Sequence, residues 1–158
     1  MISNIKVKDL IGKRDEIFYV DADDTAEIAA LKLIKFKIRT IGVLHDGELV
    51  GVVGNNDLAR KVVALGKHPS EVKVREIMTT NLRTVRLNSS IIECLNLMDK
   101  HHISHLIILD DSGKYFGMIS WFDVQKKLVQ ELKNHIELLR EYAFGPNCES
   151  IDLGMTDA

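Results

Sequence analysis

The chain has 158 residues, 46% of them hydrophobic and 28% charged, with a formal net charge of −2. That length suits one compact domain built from two halves, and the near-neutral balance argues against a general nucleic-acid surface. Two cysteines imply no disulfide framework, residues 1–6 carry no secretory signal, and no apolar run approaches the ~20 residues that cross a bilayer, so a reducing cytoplasm is the simplest setting.

After a short mixed segment, residues 17–20 read as a strand. Residues 21–24 are polar and start a helix with Thr25 near its cap; Ile28, Leu31 and Ile34 or Lys35 then follow helical spacing to about Lys37. Short apolar runs at 41–44 and 49–53 flank Asp46-Gly47, a strong hairpin signal. Asp57 opens a helix that Gly66 closes, with Pro69 beyond it. The second half predicts a lead-in at 74–78, a strand at 82–87, a helix at 90–100, a strand at 106–109, a turn at 110–113, a strand at 115–120 and a helix from near Phe122. Each half is thus β-α-β-β-α, an α/β (α+β) arrangement whose halves pack together because neither covers so small a sheet alone.

Chain order divides these units into 1–67 with the N-terminal segment, 68–130, and a C-terminal helix and tail at 131–158. In the last helix Val124, Leu128, Leu132, Ile136 and Leu139 continue one apolar face until Gly145-Pro146. That face fits packing on its own domain or a signalling or dimerisation helix. The polar tail after Pro146 reads as leading on to a longer protein.

The halves repeat each other in detail. The stretch from Gly51 to Leu58 is echoed from Gly117 to Val124, 66 positions on, and Thr25 by Ser90, 65 positions on. Such duplication produces two quasi-equivalent sites, which suits a binding module. The echoed unit is a strand, a turn from glycine to aspartate, then a helix. Gly51 and Gly117 let backbone approach a flat ring. The strand residues Val52, Val53, Met118 and Ile119 offer an apolar surface to an adenine. Asp57 and Asp123 at the helix starts can accept both hydroxyls of a ribose, and a helix N-terminus attracts phosphate. The competing reading is structural: Ser120 followed by Asp123 is a capping box. Gly54 removes that hydroxyl in the first copy, so capping alone does not account for Asp57.

These residues resemble a tandem pair of cystathionine-β-synthase (CBS) domains, a Bateman module. The resemblance is carried by residues 25–33 and 90–98, by 103–110, by the two glycine-to-aspartate turns and by the lead-in at 74–79, and it covers about residues 7–130. It implies two CBS repeats related by a pseudo-two-fold axis. It also implies regulatory binding of AMP, ADP, ATP, S-adenosylmethionine or a cyclic dinucleotide between the repeats, with no cofactor required. Asp123 and Asp57 become the ribose carboxylates, with Ser120 as the accompanying hydroxyl. Ser104, His105, Arg39 and Thr40 occupy positions that reach phosphates, and the uncharged Ser104 favours a less phosphorylated ligand. Homodimers and a downstream output domain are the implied partners, with the final helix passing the signal. A ligand-independent dimerisation module stays open as the alternative. No catalytic triad, phosphate loop or zinc motif occurs, so no enzymatic activity and no metal are expected. His101, His102, His105 and His45 read as solvated, and Trp121 as packing.

Overall fold

The structure, a computed structural model, describes residues 5–11 and 17–145. Pro146, Cys148 and the rest of the polar tail lie outside the described residues.

The first repeat contains β1 (Tyr19–Asp21), α2 (Ala26–Phe36), β2 (Thr40–His45), β3 (Glu48–Gly54) and α3 (Asn55–Leu58), preceded in the chain by the short helix α1 (Val7–Ile11). A π-helical stretch, Ala59–Val63, continues α3. The second contains β4 (Thr84–Arg86), α5 (Ile91–His101), β5 (His105–Leu109), β6 (Tyr115–Ser120) and α6 (Trp121–Phe144), preceded by α4 (Val74–Ile77). Both sheets have the same topology: the first strand runs parallel to the second, which pairs antiparallel with the third. Even the irregularities match, with a register shift between Val43 and Leu44 in one sheet and between Ile108 and Leu109 in the other.

Local chemistry accounts for these elements. Thr25 and Ser90 cap α2 and α5 by accepting from the Ile28 and Glu93 amides. Lys37 and His102 end the same helices in the left-handed conformation. At the β2–β3 turn Asp46 and Gly47 both have positive φ, 51° and 80°, the geometry of a two-residue hairpin loop. The face that α2 buries is not the row whose spacing marks the helix. Ala26, Ala29 and Leu33 face the core, while Ile28, Leu31 and Ile34 are exposed. Their counterparts on α5, Ile91, Cys94 and Met98, are buried in the same register. Burial pushes the Cys94 thiol up to about 11, so it stays protonated and serves as a small apolar residue.

Two separate cores form, and they do not follow the division at residue 67. Val72, Val74 and Ile77 pack with Val20, Leu33, Ile41 and Val53 in the first core. Val7 and Ile11 pack with Val85, Met98, Leu106 and Ile119 in the second. The backbone records the exchange. Val74 and Arg75 amides donate to the Asp24 and Ala22 carbonyls, while Val7 and Lys8 amides donate to those of Ser89 and Leu87. Each lead-in segment therefore completes the repeat that it does not precede. The repeats also meet where the Tyr115 ring covers Gly42 so closely that a Cβ there would lie 2.6 Å from it. The Tyr115 hydroxyl donates to the Phe18 carbonyl at 3.3 Å.

Helix α6 has 24 residues, about 36 Å at 1.5 Å per residue. Val124 and Leu128 pack into the second core, whereas Leu132, Ile136 and Leu139 are exposed. The apolar face anticipated along this helix is thus divided, its first part covered and its second open. Among the described residues no helix is long and apolar enough to cross a membrane.

Candidate functional site

Strand alternation aims the signature residues. Successive side chains of β3 and β6 point to opposite faces, so Val52 and Met118 face the space between the repeats while Val53 and Ile119 enter the two cores with no exposed surface. Val53 and Ile119 were candidate ring-contacting residues; both are core residues, because they lie one position off the cleft-facing register. Gly51 also lies away from the cleft, where a Cβ would stand 2.7 Å from the Met78 sulfur. It permits the bridge between Val52 and Thr79.

The remaining candidates come together in one cleft of about 960 Å³, lined by Arg39, Thr40 and Asp57 of the first repeat and Ser104, His105, Gly117, Ser120 and Asp123 of the second. That volume is at the upper end of the ~300–1,000 Å³ common for small-molecule sites. The sequence separates these groups into two copies; the packing of the repeats makes them neighbours. Residues the sequence pattern did not single out, among them Lys37, Arg83 and Asn81, also line the cleft. Arg83 lies in the loop before β4, where no turn motif or repeat marks it.

The two carboxylates are held differently. The Ser120 amide and hydroxyl both donate to Asp123 Oδ2, at 2.8 and 2.7 Å, and the Asp123 amide donates back to Ser120 Oγ at 3.2 Å. The capping box is therefore present, and the carboxylate is still exposed to the cleft. Asp57 Oδ2 accepts from the Gly54 amide at 3.0 Å, and its Oδ1 accepts from Lys61 at 2.7 Å and from the Thr79 hydroxyl at 3.3 Å. The Asp57 side chain is only 18% exposed. Gly54 is a packing requirement: a Cβ would lie 2.9 Å from both the Arg39 carbonyl and the Thr40 hydroxyl.

Near Asp123 the charge comes from across the cleft. Arg39, in the first repeat, stacks over the Phe122 ring of the second at 5.8 Å. Burial holds the His105 imidazole below its usual range; the nearby Asp123 charge opposes this and the Arg39 charge adds to it. His105 Nδ1 lies 2.9 Å from Ser104 Oγ. So an uncharged Ser104 does not leave this side without a cation, because Arg39 supplies one. Trp121 is half-buried, packing against the second core and also lining the cleft. His102 is exposed at the end of α5, whereas His105 is half-buried, not solvated. His45, also expected as plain surface, lies with Asp21 and Asp23 in a group whose ligand atoms fall within 4.8 Å of one another. There Asp23 already pairs with Arg75.

The CBS domain family model matches residues 7–64 and 74–130. The chain belongs to the CBS-domain family and carries the domain in tandem. Uncharacterized protein MK0525 of Methanopyrus kandleri is 30% identical over 135 residues, 83% of this chain and 68% of that protein. The chain spans 62% and 40% of two further curated relatives. Among solved structures, a putative signal-transduction protein with CBS domains from Burkholderia ambifaria is 33% identical, with a TM-score of 0.71 over 77% of this chain and 90% of that one. The CBS domain pair of protein MJ0100, described in complex with 5′-methylthioadenosine and S-adenosyl-L-methionine, is 26% identical with a TM-score of 0.70, covering 80% of this chain and 97% of that one.

Proposed function

We propose that this CBS pair is a non-enzymatic sensor that binds an adenosine-containing ligand in the cleft between its repeats. The observation that carries this reading is Asp123, an exposed carboxylate fixed by Ser120 on one oxygen and facing a cleft shared by both repeats. Ribose hydroxyls donate to that carboxylate, Met118 and Val52 give the base an apolar wall, and Arg39 attracts a phosphate or carboxylate. The nucleoside complexes described for MJ0100 support this ligand class. Binding shifts the arrangement of the repeats to the extent that the ligand prefers one arrangement over the other. The open part of α6, with Leu132, Ile136 and Leu139 exposed, passes that shift to an output domain or partner.

Thermal unfolding against AMP, ADP, ATP, S-adenosylmethionine, NAD and cyclic dinucleotides tests the reading. A ligand at about a hundred times its dissociation constant adds roughly 2.7 kcal/mol, a plainly raised midpoint. No shift with any of them favours the second reading, a ligand-independent dimerisation module. That reading draws on the exposed row Ile28, Leu31 and Ile34 of α2 and is checked by sedimentation of the free chain.

A further inference from the structure

Each cleft carboxylate is followed four residues later by a lysine, Asp57 by Lys61 and Asp123 by Lys127. Helical spacing allows such a pair in each copy. The structure forms it once. Lys61 Nζ lies 2.7 Å from Asp57 Oδ1 and is held there by a second bond, to the Ile77 carbonyl at 2.6 Å. Lys127 turns the other way and pairs with Glu131 at 2.7 Å. The matching position in the first copy is Leu65, which offers no competing charge. The consequence is chemical. Both oxygens of Asp57 already accept from protein donors. Among the described residues, Asp123 Oδ1 has no donor.

We infer that these two lysines decide which half of the cleft takes a ribose: Lys61 closes Asp57, and Glu131, by holding Lys127, keeps Asp123 open for one nucleoside per chain. This rests on the reading of the cleft as an adenosine-ligand site. The two ribose hydroxyls need acceptor positions on the carboxylate, and a lysine already bonded there competes for them. Glu131 does not touch the ligand; it is a positioning residue that acts through Lys127.

Isothermal titration of the full chain with AMP, ATP and S-adenosylmethionine, all with free ribose hydroxyls, tests the inference. The expected result is one ligand per chain, weakened about ten-fold or more in Asp123→Asn and kept in Asp57→Asn. Lys61→Met adds a second ligand. Glu131→Gln weakens binding a few-fold, in keeping with a partly exposed ion pair, and Lys127→Met in the same chain restores it. A role of Glu131 in helix stability alone gives no such rescue, and unchanged affinity in Glu131→Gln overturns its assignment. Two ligands per unmodified chain, or binding lost in Asp57→Asn and kept in Asp123→Asn, overturns the inference and leaves the cleft reading standing. Failure of all three probes to bind both the unmodified and the Lys61→Met chains overturns the cleft reading and the inference with it. If Lys61→Met does not fold by circular dichroism, the two aspartate variants decide the question.

Discussion

The two repeats share a backbone and differ in the cleft. Caps fall at Thr25 and Ser90, left-handed helix ends at Lys37 and His102, and strand irregularities after Val43 and Ile108, each pair 65 residues apart. Those features depend on residues close in sequence, so duplication carries them over intact. The carboxylates behave otherwise. Asp57 accepts from Lys61 and Thr79, while among the described residues Asp123 accepts hydrogen bonds only from Ser120 of its own turn. The difference shows that a repeated motif preserves position, and that its chemical state is set by third parties: Glu131, which diverts Lys127, and Thr79, which arrives with the crossed-over segment after α4.

The strongest test of the shared framework lies in the cores. Ile41→Ala and Leu106→Ala remove matched, fully buried side chains. Each is expected to cost about 2–5 kcal/mol, in a cavity-dependent way, by urea unfolding. A large cost in only one repeat breaks the equivalence. Next comes the cleft, where the copies should part. Asp123→Asn removes a charged acceptor worth about 1.5–3 kcal/mol of ligand binding, and Asp57→Asn leaves affinity unchanged in the same titration.

Gly54→Ser makes the first turn resemble the second and forces a Cβ against the Arg39 carbonyl. A loss of about 1–3 kcal/mol of stability is expected from this overpacking, checked by the midpoint of thermal unfolding. Smaller still, Thr25→Ala and Ser90→Ala should each cost about 1 kcal/mol, equal in the two copies. The last effect is a pH dependence confined to the second copy. The folded state holds His105 below its usual 6.5 through burial. Below 6.5 the unfolded chain binds the extra proton first, so stability falls as pH drops from 6.5 toward the folded value and is flat above it. His105→Asn should remove that part of the slope in unfolding midpoints measured between about pH 5 and 8.

Much of this was legible from residues alone. The hairpin at Asp46-Gly47, the strand Tyr115–Ser120 and both helix starts follow from turn chemistry, alternation and capping. The apolar spacing marks α2 as a helix but not the face it buries: the core takes the small side chains of Ala26 and Ala29 and leaves the larger Ile28, Leu31 and Ile34 outside. The pattern offers Val53 and Ile119 to the ligand because it marks apolar strand residues without saying which face meets the cleft. Arg39 was recognised, but not its partner, since Phe122 belongs to the other repeat. Lys61 and Lys127 occupy equivalent positions; the sequence offers Lys127 two partners at helical spacing, Asp123 and Glu131, and only the structure shows which one it takes.

The sequence by itself determined the duplicated units, their order and the position of each carboxylate at a helix start, because hydrogen bonds between near neighbours and hydrophobic periodicity are local. Only the tertiary structure decided that α1 completes the second core and α4 the first, that both turns open onto one cleft, and that Asp57 accepts hydrogen bonds on both oxygens while Asp123 accepts them on one. Those outcomes depend on contacts between distant segments, such as Lys61 with the Ile77 carbonyl and Arg39 with Phe122, and no local pattern specifies which distant groups will meet.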